Sequence, residues 1–126
     1  MKSIVISSPN TLFSNGLFLC LEKDTDFFVI KEDRLEQLKT TCVATNSDVL
    51  LAEVRHYAPY TVDDWLHRFK EVKTVLPNCK IALLVDENSH PEAAENVKKA
   101  KHQNLIDAFF YGTVSGEYMA AVIQSM

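Results

Sequence analysis

Hydrophobic positions fall into two alternating patterns along the chain. Short unbroken apolar runs recur at Ile4-Val5-Ile6, Phe27 to Ile30, Val49-Leu50-Leu51-Ala52, Ile81-Ala82-Leu83-Leu84-Val85 and Ala108-Phe109-Phe110-Tyr111. Such runs mark strands covered on both faces, as in parallel sheets. Between them apolar residues recur at helical spacing. Leu12, Phe13, Leu17, Cys20 and Leu21 define a helix over 11–22, and Leu35, Leu38 and Cys42 a short one over 33–43. Thr61 and Asp64 form a weak capping box ahead of a helix carrying Trp65, Leu66, Phe69, Val72, Val75 and Leu76, which ends at Pro77. A fourth helix runs from Pro91 to about Gln103 with a thin stripe of Ala93, Ala94, Val97 and Ala100. Ser115 caps a fifth, with Tyr118, Met119, Val122 and Ile123 expected to face inward. Asn46-Ser47 is turn chemistry. Gly16 costs its helix ~1 kcal/mol relative to alanine, which predicts close packing against the first strand.

Strand followed by helix, five times over, requires a parallel sheet with helices on both faces. The expected fold is α/β and doubly wound (flavodoxin-like), with strand order 2-1-3-4-5, in a single domain spanning residues 1–126. No internal repeat or linker interrupts it. In such a sheet the functional crevice lies beyond the carboxyl ends of the strands, where the order reverses. That singles out Ser7 to Asn10, Glu53 to His56, Val85 to Glu87, and Gly112-Thr113.

Composition narrows the function. Seventeen acidic residues against thirteen Lys plus Arg give a net charge of −4. A stand-alone nucleic-acid binder is usually basic, so DNA contact is not expected from this piece itself. Three widely spaced cysteines, without CxxC or zinc-ligand spacing, read as thiols in a reducing cytoplasm, and no metal is expected. No apolar run approaches the ~20 residues that span a bilayer, and the first ten residues do not read as a signal peptide. A soluble cytoplasmic chain without a membrane partner is the expectation. With three glycines, and neither GxGxxG after the first strand nor GxxxxGK[ST] anywhere, no nucleotide cofactor is expected. Ser7 and Ser8 lack the strained turn of a nucleophilic serine. His56 and Glu53, at i and i+3, lack a third metal ligand in view.

The five-unit layout, the segment from Leu12 to Leu17, the run from Asp48 to Glu53, the strand from Lys80 to Val85 and the segment from Asp107 to Phe110 together resemble the receiver domain of two-component response regulators. The nearest subfamily is the one with a C-terminal helix-turn-helix output domain. The resemblance implies a magnesium-binding acidic pair after the first strand, at positions matched here by Ser8 and Pro9. It places the phosphate-accepting Asp at Glu53, the phosphate-sensing Thr or Ser at Val85, and the paired Lys at Gly112. All of these depart from the family pattern. Magnesium needs octahedral oxygen ligation with carboxylates, and phosphoryl transfer relies on that metal. The expectation is a degenerate receiver: a non-enzymatic regulatory domain of a transcriptional regulator, the N-terminal part of a longer chain that contacts DNA only through a C-terminal domain. A small-molecule-binding or enzymatic flavodoxin-like domain is the alternative.

Glu53 then has two readings. It is either a built-in negative charge that imitates phosphorylation, or a solvated carboxylate left at a degenerate site. The loop Arg55-His56-Tyr57-Ala58-Pro59-Tyr60 offers an aromatic pocket or partner surface through Arg55, His56, Tyr57 and Tyr60, or else rings that cover the sheet. Lys98, Lys99, Lys101 and His102 complement the dipole of the fourth helix, as a solvated face or an acidic-partner surface. The resemblance implies dimer surfaces on the first and last helices, or on the fourth helix, fifth strand and fifth helix. A homodimer through Leu19, Tyr118 and Val122 is the corresponding expectation.

Overall fold

The computed structural model describes residues 1–24 and 26–126. Its elements are β1 (Lys2–Ser7), α1 (Thr11–Glu22), β2 (Phe27–Lys31), a 3-10 turn (Leu35–Gln37) leading into α2 (Leu38–Thr45), β3 (Val49–Glu53), α3 (Val62–Val75), β4 (Lys80–Val85), α4 (Pro91–His102), β5 (Ala108–Tyr111) and α5 (Gly116–Ser125). The five strands form one parallel sheet in the order β2-β1-β3-β4-β5. The order reverses between β1 and β3, where Ser7 lies beside Ala52; Glu53, one residue on, pairs with Leu84 of β4.

Alternation along each strand divides the core into two layers. Val5, Leu50, Ala52, Ile81, Leu83 and Val85 face α2, α3 and α4. Ile4, Ile6, Val49, Leu51, Ala82 and Leu84 face α1 and α5. Each fully buried Leu or Ile contributes roughly 1.5–3 kcal/mol, so the strand ends rest on a rigid floor.

Local chemistry sets the helix starts. Thr61 Oγ1 accepts from the Asp64 N–H at 3.2 Å, and Asp64 Oδ2 accepts from the Thr61 N–H at 3.1 Å. Asn10 caps α1 and Ser115 caps α5 through their side chains. Asn46 ends α2 in the left-handed region at φ 49°, which asparagine tolerates better than most residues.

Three expectations are corrected. The second helix begins at Leu38 rather than at Asp33, behind the 3-10 turn. Gly16 does not pack against β1: a Cβ there would meet nothing within 4 Å. The tightly packed glycine is Gly116, where a Cβ would fall 2.0 Å from Cys20 Sγ. On α5, Met119 and Ile123 are buried, Val122 is half-buried, and Tyr118 points outward with 59% of its surface exposed.

Candidate functional site

β1 ends in two buried serines. Ser8 donates its hydroxyl to Glu53 Oε1, while its backbone N–H donates to Asp33 Oδ1 at 3.2 Å. Asp33 Oδ2 also accepts from Ser14 Oγ at 2.9 Å, which ties the segment after β2 to α1. The Ser7 hydroxyl is buried without a hydrogen-bond partner.

Glu53 terminates the central strand. Its other carboxylate oxygen, Oε2, lies 3.0 Å from Arg55 Nη2. Its backbone carbonyl accepts from Trp65 Nε1 at 3.0 Å, which pins the strand end to α3. The residue is only 9% exposed, so the reading of a solvated carboxylate is overturned. A buried carboxylate needs a partner charge and hydrogen bonds, and Arg55 and Ser8 supply both. Glu53 and Arg55 are two residues apart, the spacing that puts extended residues on one side of the chain. That spacing was the available sequence signal for the pair. The sequence pattern does not single out Asp33, which it places in a helix, whereas the structure sets it against Ser8 and Ser14.

At the neighbouring strand ends, the Gly112 N–H donates to the Val85 carbonyl at 2.9 Å and to Glu87 Oε2 at 3.1 Å. Thr113 Oγ1 donates to Glu87 Oε1 at 3.3 Å. Gly112 and Val85 are thus brought together, but they offer no side-chain cation or hydroxyl toward Glu53. Asp86 opens the loop to α4. Its carboxyl sits below the usual range because Ser89 donates to it from side chain and backbone. Glu32, just after β2, is likewise held low, mainly by the Arg34 side chain bonded to it.

The loop after Glu53 is closed by Arg55 N–H to the Tyr60 carbonyl at 2.8 Å, and Tyr60 N–H to the Tyr57 carbonyl at 3.0 Å. Its rings form a chain. Tyr60 packs on Trp65 at 6.3 Å between centroids, Tyr57 meets Tyr60 edge-on at 5.9 Å, and His56 meets Tyr57 edge-on at 5.2 Å. His56 then stacks on His90, the residue just before α4, at 4.5 Å. Tyr60 is held against the core, whereas Tyr57 has 44% of its surface exposed. Lys98, Lys99, Lys101 and His102 are exposed at the far end of α4, away from this crevice.

A magnesium ion does not fit these residues. Ser8 offers a hydroxyl already bonded to Glu53, Pro9 offers no side-chain ligand, and both Glu53 oxygens are engaged. No group of three or more His, Cys, Asp or Glu among the described residues is placed to hold a metal ion.

No protein-family model matches the chain, and no curated protein matches it. Solved structures do. A response regulator from Thermotoga maritima is 15% identical with a TM-score of 0.75, covering 99% of this chain and 96% of its own. A response regulator receiver domain protein from Clostridium thermocellum is 13% identical with a TM-score of 0.74, covering 99% and 93%. RcsB from Salmonella enterica serovar Typhimurium, bound to promoter rprA in the presence of phosphomimetic BeF3−, is 16% identical with a TM-score of 0.72, covering 98% of this chain and 67% of its own. The chain has the fold of response-regulator receiver domains. No helix among the described residues is long and apolar enough to cross a membrane.

Proposed function

We propose that this chain is a receiver-type regulatory module of a transcriptional response regulator that works through dimerisation or partner binding, without conventional Asp phosphorylation. DNA contact then belongs to a C-terminal helix-turn-helix domain. The observation that carries the reading is the state of Glu53. The side chain at the position matching the phosphate acceptor is buried, bonded by Ser8 and neutralised by Arg55. An incoming phosphoryl group would meet a carboxylate with no lone oxygen, no metal-binding partner and no sensing hydroxyl at Val85.

The same pair argues against Glu53 as an imitation of phosphorylation. An imitating charge has to act on the groups that sense phosphate, and here its field is balanced within the crevice by Arg55. Loop contacts around His56 and His90 connect the crevice to α4, so partner binding at Tyr57 can reach the strand ends without covalent chemistry.

Incubation with acetyl phosphate and magnesium, followed by intact mass measurement, tests the reading. The expected result is an unchanged mass. A stable increase equal to one phosphoryl group would overturn it. In parallel, Glu53→Gln and Glu53→Ala are expected to dimerise as the parent does.

A further inference from the structure

Two open hollows of about 580 and 290 Å³ adjoin on the surface along α3, where it meets the end of α4, and Asp63, Leu66 and Leu105 line both. The floor is apolar. Leu66 is half-buried, Phe69 is buried, and Leu105 keeps 47% of its surface in water. The rim is cationic, with Lys70 and Lys73 at one hollow and Lys99 at the other. Lys98 and Lys101 extend it along α4.

Backbone geometry holds Leu105 in place. α4 ends in a Schellman turn: the Leu105 N–H donates to the Ala100 carbonyl at 2.9 Å, and the Asn104 N–H to the Lys101 carbonyl at 3.0 Å. Asn104 takes the left-handed φ of 60° that this turn requires, which asparagine tolerates better than most residues. The hydrophobic residue of such a turn usually packs on its own helix, yet nearly half of Leu105 stands in water between α3 and α4. The lysines around it are unmatched. Among the described residues neither Lys70 nor Lys99 has a carboxylate within ion-pair distance, and Lys73 reaches only Asp107, at 3.9 Å. Glu71, on the same helix, is paired with His67 at 3.7 Å. Lysines alone are satisfied by water. Lysines around exposed leucines differ, because the floor gains when it is covered and the rim selects the charge of what covers it.

We infer that the α3–α4 groove docks an acidic amphipathic helix of a partner protein, with its apolar face on Leu66 and Leu105 and its carboxylates against Lys70, Lys73 and Lys99. An apolar floor inside a charged rim is the arrangement by which helices bind in grooves. A nucleic acid would gain from the lysines but not from the leucines, and would meet Asp63. A symmetric second copy would set lysine against lysine. α3 and α4 cover the face of the sheet opposite to α1 and α5, so a docked helix leaves that other face open. Leu66 follows Trp65, whose Nε1 holds the Glu53 carbonyl, so the occupant sits beside the residue that pins the central strand end. The inference rests on the partner-binding reading above and names the chemistry of the partner.

Methyl-labelled protein is titrated with a synthetic helical peptide carrying leucines at i, i+3, i+4 and i+7 flanked by glutamates, and with the same peptide in which glutamine replaces every glutamate. Saturable shifts are expected at the methyls of Leu66 and Leu105 with the acidic peptide, weakening as salt rises. The glutamine peptide is expected to bind about fivefold more weakly, the scale of two or three exposed ion pairs. Lys70→Glu combined with Lys99→Glu, both exposed, is expected to remove the binding at an unchanged melting temperature. No saturable shift with the acidic peptide, equal binding of the two peptides, or unaltered binding by the charge-reversed variant overturns the inference. Should that variant fail to fold, the two peptides on the unaltered protein decide. The same shifts with a duplex DNA oligomer assign the lysines to phosphates, and the same shifts on concentrating the protein alone assign the groove to a second copy; either result overturns the inference. Uptake of phosphate from acetyl phosphate would overturn the reading on which it rests and leave the peptide shifts standing, whereas absent shifts with an unchanged mass would overturn the groove alone.

Discussion

At the scale of single residues, the pairing of Glu53 with Arg55 decides how the crevice behaves. Removing one member of a buried pair leaves the other charge without compensation, which costs more than the pair contributes. Arg55→Met is therefore expected to destabilise the fold by about 1–3 kcal/mol, below the usual figure for a fully buried pair because the Arg55 side chain keeps 23% of its exposure. The loss is expected to shrink when Glu53→Gln is added, since the amide needs no counter-ion. Urea unfolding of the two single variants and the double variant measures this, and a parent-like Arg55→Met would refute the pair's role. Glu32 gives a pH signature. Its pKa in the folded protein lies below the ordinary value, first because Arg34 bonds to it and then because Thr41 does. A lowered folded pKa contributes stability that is present above the unfolded pKa and is lost as pH falls through the folded value. Glu32→Gln should therefore flatten the acid limb of the stability curve, and identical acid limbs would remove Glu32 from the account.

At the scale of elements, the glycines separate two roles that the sequence pattern merges. Gly16→Ala adds a methyl where there is room and improves helix propensity, so a gain of up to about 1 kcal/mol is expected. Gly116→Ala drives a Cβ into Cys20 Sγ and should lower stability, with recovery when Cys20→Ala is added. Equal effects at the two sites, read from urea midpoints, would contradict the packing. Periodicity cannot tell which glycine meets a neighbouring helix, because that depends on how α1 and α5 approach across the sheet. The strands were legible because parallel strands buried on both faces must be continuously apolar, as Ile81 to Val85 is. The caps at Thr61 and Ser115 were legible because they are local. The start of α2 was not, because Asp33 bonds to Ser8 and Ser14 and Glu32 to Arg34 and Thr41. Those contacts hold Asp33 and Arg34 out of the helix expected over 33–43. The places of Ser8, Pro9, Val85 and Gly112 at the strand ends were legible because the crevice position follows from the strand order. How Glu53 is satisfied depends on side-chain contacts across the strand ends, chiefly with Ser8, forty-five positions away in sequence.

At the scale of the molecule, the question is where a second copy would sit. α1 carries no charged residue before Glu22, and Leu12 and Leu19 on it are more than half exposed. Tyr118 on α5 is 59% exposed, and α1 and α5 pack side by side. Charge depletion with an exposed aromatic is the composition of an interface core. A two-fold axis through this face would bring the same patch of both copies together, as symmetric dimers require. It must bury about 1,000 Å² or more to hold. The protein is expected to sediment as a dimer, and Leu19→Glu combined with Tyr118→Glu to sediment as a monomer with an unchanged melting temperature. The introduced carboxylates are innocuous in water but face their own copies across the axis, in a chain whose net charge is already −4. A monomeric parent at high concentration would reject the dimer. A parent and double variant that both remain dimeric would instead move the interface to another face.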